Sequence, residues 1–302
     1  MNDGSRESPA RVRHAGCIPL RKLATIKNTV SSPFRLACLG LGFASVVRAQ
    51  TPAAPPSTFL TSRDAAVAGS FLGASAALSL FDARIASYFR DTTLSHVRLG
   101  QKLDDIFTHI NESTLTVGGL AVYVIARIAK QPVVADVAFH TAESVAAASV
   151  ASQIIRGPLG RSRPRNAVPA YENQYDFHAF QGFGHFENRA FPSIHSSSGF
   201  AAAAAIVTEV QRRKPSAALA VAIPAYALAL TPGLSRMYLG QHWASDVFAG
   251  AFVGAFFGSR IVSYSHDHPA TKVDRLFLGR SLHDLQMSKR ERRIPFAFTI
   301  TF

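Results

Sequence analysis

The stretch GLSRMYLGQHWASD, residues 233–246, places Arg236, His242 and Asp246 directly behind an apolar run. Arginine, histidine and aspartate are costly to bury unless they are paired or put to use. Two other stretches share the pattern. RGPLGRSRP sets Arg156 seven residues before Arg163, with Pro164 next, and FPSIHSSSGF sets Ser193, Ile194 and His195 at the head of another apolar run. Together they offer three arginines, two histidines, a serine, an aspartate and a helix N-terminus. This inventory suits a tetrahedral oxyanion. Guanidinium groups give planar, permanently charged donors for phosphate, and a helix start gives free backbone N–H groups. One histidine can attack phosphorus while another protonates the leaving oxygen. Asp246, one turn after His242, can hold the imidazole's other nitrogen and fix its tautomer. These residues include no carboxylate cluster to bind magnesium, so the arginines must neutralise the charge.

The elements that must position these residues are helical. Six apolar segments lie near 65–81, 114–129, 133–155, 196–210, 216–232 and 246–264, rich in Ala, Leu and Val and without strand-like alternation. An amphipathic stretch, 97–110, lies between the first two. The third segment carries Asp136, His140 and Glu143, so it cannot face lipid all round. Several segments fall short of the roughly 20 residues a span needs. Loop charge nonetheless fits a six-span membrane bundle. Arg127 and Lys130, then Arg212, Arg213 and Lys214, then a basic tail all follow the ends of even-numbered segments, as the positive-inside rule asks. The three polar clusters then share the opposite face. The final RIPFAFTITF, 293–302, alternates as a strand would.

The chain has 302 residues and a net charge of +13, unevenly spread. Residues 1–49 hold eight Lys/Arg against two Asp/Glu, while residues 50–265 hold seventeen against thirteen. A nucleic-acid binder would carry a basic stripe on its folded domain, so nucleic acid is not the expected partner. The positive N-terminus, the apolar run LACLGLGFASVV and the small residues up to Ala49 read as a leader with a signal peptide or an anchor, 1–49. A Pro-rich linker, 50–63, a helical domain, 64–265, and a basic tail, 266–302, complete the organisation. The two cysteines, Cys17 and Cys38, both lie in the leader and offer neither a zinc spacing nor a disulfide framework.

The spacing Arg156-x6-Arg163-Pro164, then Pro192-Ser193-x-His195, then Ser235-Arg236-x5-His242-x3-Asp246 resembles the type 2 phosphatidic acid phosphatase (PAP2) and vanadium haloperoxidase superfamily, in its bacterial phosphatase branch. The resemblance covers about residues 64–265. It implies an all-α, six-helix bundle, membrane-embedded, with a phosphate pocket that uses no metal or other cofactor. His242 would be the nucleophile that forms a phosphohistidine, oriented by Asp246. His195 would be the acid for the leaving group and then the base for water. Arg156, Arg163, Ser193, the Ile194 backbone N–H and Arg236 would hold the phosphate oxygens. Two positions depart from the family pattern, which has lysine at Arg156 and glycine at Ile194.

The resulting expectation is a phosphatase of lipid phosphomonoesters or diphosphates, in the bacterial inner membrane with its site on the periplasmic face. A soluble periplasmic acid phosphatase of broad specificity is the main alternative, followed by a vanadate-dependent haloperoxidase. A membrane scaffold with a decayed pocket is a non-enzyme alternative, against which the intact His195, His242 and Asp246 argue. Outside the motifs, His140, His178 and His185 read as structural or surface residues and Trp243 as core. The aromatic loop 171–188 is placed to cover the pocket mouth. His242 is read as partly exposed, and Arg156 as facing a wet pocket.

Overall fold

Local sequence signals fix where each helix begins and ends. In the computed structural model, which describes residues 58–91, 107, 109–166, 172–268 and 271–279, Thr61 caps helix α1 (Ser62–Ser79). Its hydroxyl accepts from Asp64 N, and the Asp64 carboxylate reaches back to the Thr61 N–H, a reciprocal capping box. Helix α2 (Asp82–Asp91) follows at once. Asn111 caps α3 (Glu112–Ile128). Helix α4 (Pro132–Leu159) starts on a proline, where the missing N–H costs nothing, and ends at Gly160 with φ 62°. Ser193 caps α5 (Ile194–Arg213), and α6 (Ala218–Tyr238) and α7 (Ala244–Asp267) follow. The short α8 (Lys272–Phe277) starts at Thr271.

All six expected apolar segments are helices, namely α1, α3, α4, α5, α6 and α7, and the described residues contain no strand beyond one isolated bridge between Arg161 and Phe177. The fold is all-α. The leader, most of the amphipathic stretch 97–110 and the expected strand at 293–302 lie outside the described residues.

Helix α5 is the axis of the bundle. Ala201 to Ala205 are all buried, packing on Val145 and Ala148 of α4 and on Ala229 of α6. Against α7 the approach is closer still. A Cβ at Gly250, Gly254 or Gly258 would lie 2.3, 2.1 or 2.4 Å from the carbonyl oxygens of Ser193, Ser197 and Ala201. Glycine at a four-residue repeat on α7 therefore lets its backbone seat directly on that of α5. Serine hydroxyls bridge α4 to α5, Ser152 Oγ to Ser197 Oγ at 2.9 Å and Ser149 Oγ to Ser198 Oγ at 3.3 Å.

The periphery is apolar. Leu72 of α1, Val117, Ile125 and Ile128 of α3, and Leu219, Ile223 and Leu228 of α6 are all exposed. Large exposed apolar patches mark membrane or partner surfaces. Three helical stretches are long and apolar enough to cross a membrane: Pro132–Leu159, Pro215–Tyr238 and Ala244–Asp267. The α1–α2 pair, bent by 60°, is a fourth if it counts as one span. Helices α3 and α5 fall outside that set, so length and composition alone support fewer crossings than the six that loop charge suggests.

Candidate active site

The three polar clusters meet at one end of the bundle because of how their helices run. Arg156 lies in the last turn of α4, Arg161 and Arg163 in the connection after it, and Ser193 to His195 at the start of α5. Arg236 sits in the last turn of α6, and His242 and Asp246 at the start of α7. A direct backbone bond, Ser193 N–H to the Asp246 carbonyl at 3.0 Å, ties the second cluster to the third.

His242 is 3% exposed, buried rather than partly exposed as the sequence suggests. Its Nδ1 lies 2.7 Å from the Ala190 carbonyl oxygen. A carbonyl only accepts, so Nδ1 carries the proton and Nε2 presents its lone pair. The oriented, neutral imidazole is what a nucleophile requires. Asp246, expected to set this tautomer, stands 3.8 Å from Nδ1 and is engaged elsewhere. Its carboxylate accepts from the Trp243 backbone N–H at 2.8 Å and from Arg161 Nη1 at 2.5 Å. The backbone oxygen of Ala190 has taken the orienting position, and Asp246 instead fixes the helix start on which His242 rests.

His195 Nε2 lies 2.8 Å from Arg236 Nη2, so the guanidinium donates and the ring accepts. Arg163 donates to the Gln241 side chain, to the Gln241 carbonyl at 3.3 Å and, through Nε, to the Phe186 carbonyl at 3.0 Å. Arg156 donates to the Arg189 carbonyl and is 5% exposed, so it belongs to the packed end of α4 and not to open solvent. Arg156 Nε and His195 Nδ1 are buried and have no hydrogen-bond partner among the described residues. Buried polar atoms are seldom left so, and both belong to side chains that the sequence assigns to an oxyanion. Burial first, then the charges of Arg163 and Arg156, hold the His242 imidazolium well below its ordinary pKa range, against the opposing hydrogen bond to Ala190.

Sequence reasoning missed Arg161. Of the alternating Arg161, Arg163 and Arg165, the motif spacing singles out only Arg163, and Arg165 pairs with Glu187 at the surface. Arg161 is 2% exposed and joins three elements. It bonds Asp246 and Ser245 of α7, Asp82 at the start of α2 at 2.8 Å and the Gln174 carbonyl at 2.6 Å. Asp82 in turn accepts from Ser245 N at 2.9 Å. The spacing gave no warning: residues two apart on an extended segment line one face, so the pattern alone does not separate Arg161 from Arg163. Trp243 is core as expected, fully buried with Nε1 bonded to the Ser162 carbonyl at 2.9 Å. His185 is exposed, and His178 is half-buried and beside Asp176 at 2.9 Å.

Beside Arg156 and Ile194 a cleft of about 320 Å³ opens between α3, α4 and the aromatic loop. Phe183, Val150 and Ile154 give it apolar walls, and Glu112 and Arg189 stand among them. The loop itself exposes Phe177, Phe180, Phe183 and Phe186.

The PAP2 superfamily model matches residues 138–269, which contain all three clusters. The lipid A 1-phosphatase of Porphyromonas gingivalis is 38% identical over 69 residues, 23% of this chain and 15% of its own length. The lipid A 4'-phosphatase of Bacteroides thetaiotaomicron is 30% identical over 108 residues, 35% of this chain and 44% of its own. The chain thus spans less than half the length of either relative. A solved transmembrane PAP2-type phosphatidylglycerolphosphate phosphatase from Bacillus subtilis shares 19% identity over 66% of this chain and 98% of its own, with a TM-score of 0.35. The motif residues gathered at one end of the all-α bundle thus all lie inside the region that the PAP2 superfamily model matches, residues 138–269.

Proposed function

We propose that the protein is a metal-independent phosphatase of phosphorylated lipids that works through a phosphohistidine on His242. One observation carries the reading. Arg163 bonds Gln241 next to His242, the Arg236 carbonyl accepts from the His242 backbone N–H at 3.3 Å, and the buried His242 has its Nε2 lone pair fixed by the Ala190 carbonyl. A phosphoryl group bound there has three guanidinium groups for its oxygens, the free N–H groups at the head of α5, and a nucleophile in reach. His242 Nε2 attacks phosphorus as the P–O bond to the leaving alcohol breaks, and His195 supplies the proton to that oxygen. His195 then takes a proton from water, whose oxygen displaces His242. In the resting pocket Arg236 donates to His195 Nε2, so the ring proton sits on Nδ1. The substrate's negative charge must therefore draw the guanidinium away before His195 can hold a second proton, at Nε2, for the leaving oxygen.

The apolar cleft beside Arg156 suits an acyl chain, and the exposed apolar belt suits a bilayer. The catalytic unit is the helical domain 64–265, set in the inner membrane. Its site faces the periplasm, because the basic ends of α3 and α5 lie opposite. The phosphate groups of lipid A, on which the named relatives act, are the first substrates to test.

The test is to incubate the full chain with a ³²P-labelled lipid phosphate in EDTA and trap the enzyme. Label on the protein that is lost in acid and kept in alkali, with phosphate release undiminished by the chelator, is expected. Turnover without any trappable label, or activity restored only by magnesium, would overturn the mechanism.

A pH effect follows from the same charges. Because His242 is held neutral well below the usual imidazole range, the acid limb of kcat/KM falls below about pH 6.5, the ordinary value. Removing a nearby positive charge lets the imidazolium form more easily and raises its pKa. The Arg163→Gln variant should therefore show an acid limb displaced to higher pH, besides a lower plateau. A pH profile recorded for both proteins on one substrate checks this, and an unmoved limb would separate Arg163 from His242.

A further inference from the structure

The bundle end opposite His242 holds a second set of titratable groups that phosphoryl transfer does not use. His140 of α4 and Glu209 of α5 are fully buried, and His140 Nδ1 contacts Glu209 Oε1. Glu209 Oε2 lies 2.9 Å from Nε2 of His266 in α7. One ligand atom from each of the three residues falls within 4.8 Å of the others. The other ring nitrogen of His140, Nε2, faces Ser265 Oγ at 3.0 Å and Asp274 Oδ1 of α8 at 3.5 Å. On α4, His140 lies 16 residues before Arg156, about 24 Å along the helix, so this group is separate from the phosphate site.

Arg213 bonds Glu209 and Asp136 at 2.9 Å each and leaves the two imidazoles facing Glu209. We propose that His140 Nδ1, His266 Nε2 and a Glu209 oxygen form a three-ligand zinc site joining α4, α5 and α7. Two imidazoles and a carboxylate match zinc, whereas magnesium and calcium take oxygen ligands. The outer contacts match as well. A metal-bound histidine typically turns its remaining nitrogen to a carboxylate, as His140 does toward Asp274 with Ser265 beside it. Bond lengths of about 2.0–2.1 Å put tetrahedral ligands roughly 3.3 Å apart, so an ion must part Glu209 from His266, now at 2.9 Å, and from His140, which it contacts more closely still. His266 keeps 20% of its side chain accessible, which gives an ion a way in.

The experiment uses the full chain in detergent, stripped with chelator and then titrated with ZnCl₂. Bound zinc is read by elemental analysis, and stability by thermal unfolding. One zinc per chain is expected, with a higher unfolding temperature and protons released as the imidazoles are metallated. Asp274→Asn should weaken binding about 10- to 100-fold. His266→Ala and Glu209→Gln should each abolish the stoichiometric uptake. The surface control His178→Ala should retain it. Phosphate release, assayed where all variants are folded, should be the same with and without zinc. No uptake by the wild type at micromolar zinc, or equal uptake by His266→Ala and Glu209→Gln, would overturn the site and leave a proton-balanced cluster in its place.

Discussion

Replacing His242 with asparagine is expected to remove phosphate release while the bundle stays folded. Asparagine is chosen because the imidazole is buried, so alanine would leave a cavity as well as a missing nucleophile. The asparagine side-chain N–H group can occupy the place of Nδ1–H and keep the bond to the Ala190 carbonyl. Nothing then stands where Nε2 presented its lone pair. Loss of a catalytic unit of this kind costs on the order of 10⁴–10⁶-fold in turnover. The radiolabel trapped on the wild-type enzyme should vanish with it. The unfolding temperature, measured alongside, should move by a few degrees at most. Residual turnover within about 10-fold of wild type would assign the nucleophile elsewhere, with His195 first in line.

The second large effect is one of stability. Arg161→Gln should lower it by about 3–5 kcal/mol, the range for breaking a buried ion pair from one side. Asp82 and Asp246 are both fully buried, and Arg161 is the guanidinium that each contacts. Without it two carboxylates share the Ser245 region with no cation between them. A drop in unfolding temperature on the order of 10 °C is expected. Adding Asp82→Asn should then recover part of the loss, because one of the stranded charges is gone. A double variant no more stable than Arg161→Gln alone would show that the arginine acts through its bonds to the Gln174 carbonyl. The ion pairs matter to the chemistry because they reach the first turn of α7, where Asp246 holds the Trp243 N–H next to His242.

Much of this was legible in the sequence, for identifiable reasons. Helices α1 and α3 to α7 announce themselves as apolar runs, and caps such as Thr61, Asn111 and Ser193 punctuate them. Arg156, Arg163, His195, Arg236 and His242 stand out as candidates because their side chains have few uses besides anion chemistry and because each abuts an apolar run, and the fold brings them to one end of the bundle. What could not be read has a common physical cause. The Ala190 oxygen that orients His242 is backbone, and no residue type advertises it. Asp82 lies 79 positions from Arg161, and only packing brings them together. The cluster at His140 joins Glu209, 69 positions away, and Ser265, 125 positions away, so no local spacing could reveal it. Burial misled in one direction only: His242 and Arg156 were taken as wetter than they are, since sequence shows the polar side chain and not the neighbours that enclose it.

The glycine seam of α7 has a mechanical consequence. With Gly250, Gly254 and Gly258 backed onto the carbonyls of Ser193, Ser197 and Ala201, there is no layer of side chains between α5 and α7 to deform. The two helices must travel as one rigid beam, and that beam carries Ser193 and His195 on one member and Asp246 on the other. Breathing between these residues would require parting two backbones in contact, so their spacing stays constant through a catalytic cycle. The compliance that the proposed phosphatase needs to admit its substrate has to come from elsewhere. It falls to the side bounded by α3 and the aromatic loop, where Phe183 closes the cleft by a ring edge packed against Gly157. Any movement that admits a ligand therefore falls to that side, while the α5–α7 frame behind it stands still.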